Sequence, residues 1–204
     1  MSVASLTRDA HGEVDQLYIE TRELRLQGFL FFLVSDCVLF ASFIFAYLYL
    51  RNSGQGWPPP GIQRLDVAFA AWNSVVLFGS GATMHYALEN FKHGNFMRYM
   101  LFLLATIVLG LGFLGGQAFE YNHLIFGEHV TWWGSGIFGA SFFTLTGMHG
   151  FHVFLGVCYL TVLVLQSAAG VYTRGKFFGI TAGTLYWHFV DVIWVVLFSI
   201  FYLL

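Results

Sequence analysis

Asp191 is the only charged side chain in an apolar run from about Phe177 to Leu204, and His188 stands three residues before it. A run of that length crosses a bilayer as one helix. It carries an acid and an imidazole into hydrocarbon on one helical face. An ionised side chain at the centre of a membrane helix costs roughly 2.5–3.5 kcal/mol on insertion scales, so a group kept there has a partner or a use. Asp36 is a second such acid. It lies eleven residues past Arg25, which at helical rise is roughly 16 Å into the membrane. His149 and His152 share one face near the middle of another apolar run, Glu120 and His123 close a third, and His85 and Glu89 close a fourth.

Three kinds of chemistry fit this set. The first is buried pairing, in which Asp36, Glu120, His149, His152, His188 and Asp191 hydrogen-bond helix to helix and so decide which helices meet. The second is proton handling by a membrane carboxylate, Asp36 above all. The third is a metal or haem held by imidazoles at i and i+3, but no further ligands stand beside them in the sequence. No catalytic residue and no metal ligand is assigned.

The elements that position these groups follow from hydropathy. Of 204 residues, 57% are hydrophobic and only 10% charged, with a net charge of −2. Soluble domains carry nearer ~25% charge, so the expected class is an all-α bundle of transmembrane helices, with no basic patch for nucleic acid. Five spans are expected, at about 26–50, 67–88, 99–121, 132–168 and 177–204, after a polar, mobile tail at 1–25. That tail carries eight charges and no apolar core, so no cleavable signal peptide is expected. All three prolines fall in Trp57-Pro58-Pro59-Pro60-Gly61, which must lie outside the hydrocarbon. The fourth span exceeds the ~20 residues a crossing needs and must tilt or project. Glycine pairs at Gly112 and Gly116, and at Gly179 and Gly183, have the spacing that lets helix backbones approach closely. Trp132 and Trp133 are expected interfacial anchors. Cys37 and Cys158 lie in apolar spans and are expected to be small buried residues, since no CxxC is present.

With a cytoplasmic N-terminus, the inner segments hold Arg8, Arg22, Arg25, Lys92, Arg98, Arg174 and Lys176, seven of the nine basic residues. The outer segments hold Arg51 and Arg64. This bias places the N-terminus inside and the C-terminus outside. A stand-alone transporter built on the buried acids would be expected to show an internal repeat or a pair of broken helices, and neither is visible. An intramembrane serine hydrolase would need Gly-x-Ser-Gly, and both Phe78-Gly79-Ser80-Gly81 and Trp133-Gly134-Ser135-Gly136 lack its first glycine.

Several motifs are specific. They are Ser35-Asp36, Trp57-Pro58-Pro59, Gln117-Ala118-Phe119-Glu120-Tyr121, Thr146-Gly147-Met148-His149-Gly150-Phe151-His152-Val153 and Tyr186-Trp187-His188-Phe189-Val190-Asp191-Val192-Ile193-Trp194. With them the chain resembles subunit III of haem-copper respiratory oxidases over nearly all its length from about Leu26, in the short five-helix bacterial form. The Trp-Pro-Pro loop is more similar to cytochrome c oxidases than to quinol oxidases, and the quinol type remains the alternative.

The resemblance implies a non-catalytic subunit of a proton-pumping terminal oxidase of the respiratory chain, multi-pass in the bacterial cell (inner) membrane. It implies haem and copper in the partner subunits I and II and none in this chain, and cytochrome c or quinol as donor to the complex. It further implies bound phospholipid, with Arg174 and Lys176 near lipid phosphates, and support of proton uptake and durability. Asp36 aligns with the family's carboxylate, usually glutamate, so its reach is one methylene shorter. Thr181 stands where the family often has another glutamate, whose function does not carry over.

Overall fold

The computed structural model of the chain describes residues 3–53, 65–173 and 177–203. Among these residues it is all-α, with five helices long and apolar enough to cross a membrane. They are α1 (Val3–Ser53), α2 (Val67–Lys92), α3 (Phe96–Asn122), α4 (Gly136–Ala168) and α5 (Phe178–Phe198), with π-helical turns at His123–Gly127 and Ser199–Leu203. The proline loop with Trp57-Pro58-Pro59, and the expected lipid-facing Arg174 and Lys176, lie outside the described residues.

The chain divides into two compact units, Met1–Val38 and Leu39–Leu204. In the first unit the segment expected as a polar tail is helical from Val3. No proline interrupts it, so nothing forces the backbone hydrogen-bond ladder to stop before the apolar stretch. Phe31, Val34 and Val38 are exposed along this part of α1.

In the second unit the remaining stretch of α1 turns Phe40 and Tyr47 inward, seven residues apart and both buried. Their rings pack on His152 at 5.1 Å and on Phe201 at 4.6 Å between centroids. Asp66 starts α2: its Oδ1 accepts from the backbone N–H groups of Ala68 and Phe69 at 3.0 and 3.1 Å, satisfying two donors that a helix start leaves orphaned. Gly94, at φ 80°, makes the tight turn into α3.

α4 begins at Gly136 rather than at Trp132, because hydroxyls capture the preceding backbone. Gly134 N–H donates to Thr131 Oγ1 at 2.9 Å, and Thr131 N–H donates to Ser135 Oγ at 2.9 Å. Trp133 in this turn is 92% exposed, a placement suited to an interfacial anchor. At 33 residues, α4 is about 50 Å long.

The glycine pairs serve different neighbours. A Cβ on Gly112 would lie 3.7 Å from Val76 Cγ1, and Gly116 is closed against Asn73, so this pair seats α3 on α2. Gly183 backs onto Tyr159 and Leu163 of α4, whereas Gly179 meets Tyr172. Cys37 and Cys158 are both exposed, not buried as expected. On α4 the inward stripe runs through Val153, Gly156, Val157 and Leu160, and position 158 falls off it.

Candidate functional site

The deep polar residues do not converge on one reacting point; they fall into separate groups. Asp36 is half-buried on α1 in the first unit, beside Ser35, whose Oγ donates to Phe32 O at 2.7 Å.

His149 and His152 share a face of α4, as their spacing requires, but have different surroundings. His149 is fully buried. Its ring stacks on Trp194 at 5.0 Å and 28°, and Phe113 meets it edge-on at 5.8 Å. Neither of its ring nitrogens has a hydrogen-bond partner in the described structure. His152 Nδ1 lies 2.8 Å from Met148 O, and the Tyr186 hydroxyl donates to the His152 carbonyl at 3.0 Å.

On α5, Trp187 and Trp194 are seven residues apart and so share a face. Trp187 Nε1–H donates to Ser80 Oγ at 2.9 Å, and Trp194 Nε1–H donates to Ser74 Oγ at 2.8 Å. Each indole contributes a large apolar surface and one donor that must be satisfied when buried. Two serines of α2 supply the acceptors, so the pair fastens α5 to α2. The Trp187 ring also passes between Gly110 of α3 and Gly156 of α4. A Cβ at either glycine would come within 2.8 Å of it. One side chain thus meets the other three helices of the second unit that lie whole within it.

Beside this seam, Asp191 packs its carboxylate against Gly81 of α2. Its Oδ2 is 3.6 Å from His188 Nδ1, and its Oδ1 is buried without a hydrogen-bond partner in the described structure. His85 of α2 is exposed next to His188, with ring centroids 6.3 Å apart. Lower on α2, Glu89 pairs with Lys92 at 2.7 Å.

Glu120, near the end of α3, is buried and accepts from the Tyr202 hydroxyl at 2.8 Å. With Asp66, His123 and Glu128 it lines a pocket of about 210 Å³, where Phe69 and Phe119 form an apolar wall. His123 Nε2 and Glu128 Oε1 are 3.7 Å apart. One turn earlier, Gln117 Nε2 donates to Thr146 O at 2.7 Å, and the Tyr121 hydroxyl pairs with Thr146 Oγ1 at 2.6 Å. Among the described residues no group of three or more His, Cys, Asp and Glu side chains is placed to hold a metal ion.

Sequence reasoning located the acids and imidazoles but missed Tyr202, the donor to Glu120, and the helix-to-helix bonds of Ser74, Ser80, Gln117 and Tyr121. One signal was available. Two tryptophans at helical heptad spacing in an apolar run demand two buried acceptors on a neighbouring helix.

The chain has relatives. A family model described as cytochrome c oxidase subunit III matches residues 9–204. Cytochrome c oxidase subunit 3 of Bacillus subtilis is 38% identical over 182 residues, covering 87% of this chain and 84% of the relative. That of Synechocystis is 37% identical over 183 residues, covering 89% and 76%. That of the dugong is 35% identical over 181 residues, covering 86% and 67%.

Proposed function

The chain belongs to the cytochrome c oxidase subunit III family, and on that premise we propose that it acts in the oxidase as a non-catalytic membrane subunit that braces the catalytic subunit, holds phospholipid and supports proton uptake. It is a multi-pass membrane protein and works in a complex with other oxidase subunits. The observation that supports the bracing role is how its deep polar groups are used. Trp187, Trp194, Gln117, Tyr121 and Tyr202 spend their donors on bonds between helices. Such bonds hold a bundle in register.

The finer parts of the reading rest on the resemblance and on charge. The partners would be subunits I and II, which hold the haem and copper, with cytochrome c as donor because the relatives are cytochrome c oxidases. The location would be the bacterial inner membrane. The positive-inside bias favours a cytoplasmic N-terminus and puts Arg174 and Lys176 at inner-leaflet phosphates. Asp36, half-buried and at mid-membrane depth, is the residue proposed to support proton uptake.

The test is purification of the native complex through a tag on this chain, with a visible spectrum and mass spectrometry. The expected result is co-purification with haem- and copper-bearing subunits, and no Soret band from the chain once it is separated. A stoichiometric Soret band in the separated chain, or a chain with no such companions, overturns the proposal.

A further inference from the structure

Four ionisable side chains stand in a row along the contact between α2 and α5. On α2, Gly81, His85 and Glu89 recur every four residues and so share one face. On α5, His188 and Asp191 are three residues apart and turn toward that face. Asp191 packs on Gly81, and the His188 and His85 rings have centroids 6.3 Å apart. The end of α2 and the start of α5 are level, since Phe91 and Phe177 meet there with ring centroids 5.8 Å apart. Counted from those two ends, Glu89, His85, His188 and Asp191 lie 3, 7, 10 and 13 residues in. At helical rise these are depths of roughly 5, 10, 15 and 20 Å. Acid, imidazole, imidazole and acid thus descend in even steps from the end of the bundle toward its middle.

The row is open at one end and closed at the other. Side-chain exposure is 38% at Glu89 and 43% at His188, and falls to 13% at Asp191. Asp191 Oδ1 is buried without a hydrogen-bond partner in the described structure, and Oδ2 is 3.6 Å from His188 Nδ1. The titratable groups facing this carboxyl are His188 on its own helix and, next in line, His85 on α2. At the open end, Glu89 meets Lys92 at 2.7 Å, and His93 Nδ1 lies 2.7 Å from Glu89 O. An imidazole takes a proton on one ring nitrogen and releases one from the other, so it passes protons on without leaving its place. Nδ1 of His188 faces Asp191, which leaves Nε2 for the next exchange. A small side-chain rotation closes the 3.6 Å gap, and the gap between the two rings is within reach of one bridging water. Rows of Asp, Glu and His at such depth are the usual form of a proton relay in a membrane.

We propose that Glu89, His85 and His188 form a proton relay within this chain, through which Asp191 exchanges its proton with the aqueous phase at the Lys92 end of α2. A proton leaves Asp191 Oδ2 for His188 Nδ1 as another leaves His188 Nε2 for His85 and passes on to the Glu89 carboxylate. Nothing is oxidised or reduced, and the reverse sequence reloads Asp191. The relay makes Asp191 a store for one proton. It needs no other subunit and is separate from Asp36 on α1.

The experiment follows the infrared carboxyl stretch of Asp191 in the assembled complex in membranes, assigned by its loss in Asp191→Asn, as the sample passes from H2O to D2O. The expected band moves to its deuterated position, and its intensity follows bulk pH. His85→Gln and His188→Gln keep a polar side chain but carry no proton onward. Each should slow the exchange roughly a hundredfold, the low end of what a positioned proton carrier contributes. His85 is exposed near the end of its helix, so its variant keeps the bundle intact even where the His188 variant fails to assemble. An Asp191 with no such band at any pH, a band that never exchanges, or exchange at the parental rate in His85→Gln overturns the relay. So does exchange slowed by Asp36→Asn and not by the histidine variants, which would place the route along α1.

Discussion

Gly110→Ala tests whether Trp187 is the joint of the bundle. A Cβ at position 110 would stand 2.8 Å from Trp187 Cη2, 2.9 Å from Cζ2 and 3.2 Å from Val157 Cγ2. The indole cannot retreat. Its other face is closed by Gly156, where the same construction gives 2.8 Å to Cζ3, and its Nε1 is tied to Ser80 at 2.9 Å. Either α3 moves away or the ring leaves its rotamer, and overpacking of this kind costs about 1–3 kcal/mol. Trp187→Phe alone loses the bond to Ser80, about 0.6 kcal/mol on average and up to about 1.7, and opens a void. In the double variant the void receives the new methyl, so Gly110→Ala should cost almost nothing on the Trp187→Phe background. The coupling should therefore be favourable and within the ~0.5–3 kcal/mol seen for contacting residues. The assay is a four-point cycle read by SDS titration of the purified oxidase, following helical circular dichroism and release of this chain. Additive costs, or a Gly110→Ala variant as stable as the parent, would refute the reasoning.

Three further outcomes are expected. Asp36→Asn in the assembled oxidase should slow turnover or hasten inactivation during turnover, with assembly normal; unchanged kinetics would return Asp36 to a structural role. Tyr202→Phe strips the donor from the buried Glu120 carboxylate and should lower stability by about 0.6–1.7 kcal/mol, with no change in turnover per assembled complex, as read by thermal release of the chain beside oxygen consumption. A rate loss at full stability would contradict that assignment. Asp66→Ala removes the acceptor for two backbone donors at the start of α2 and should cost about 0.5–2 kcal/mol, while Asp66→Ser costs far less; equal melting of the two variants would remove the capping argument.

Hydropathy and length were enough for the five membrane-crossing helices and for the depth of each polar group along its helix. Depth follows from counting residues, because helical rise is constant. The long motifs around His149 and Asp191 were likewise legible and carried the family. The start of α4 was not, because Thr131 and Ser135 stop the helix through side-chain bonds that hydropathy ignores.

What the tertiary structure alone decided is direction around each helix axis. α4 and α5 are apolar on nearly every side, so no polar stripe tells inside from outside, and Cys158 could be misplaced as buried. The same uniformity hides that His149 points into the bundle while His188 points out of it. The packing of α2 against α5, through Trp187, Trp194 and serines more than 100 residues away in sequence, sets the rotation of α5, and Gln117 on Thr146 and Trp187 on Gly156 set that of α4. Sequence thus determined how far along each helix a polar group stands, and contacts between distant segments determined what it faces, because hydrocarbon gives an apolar helix no preferred side.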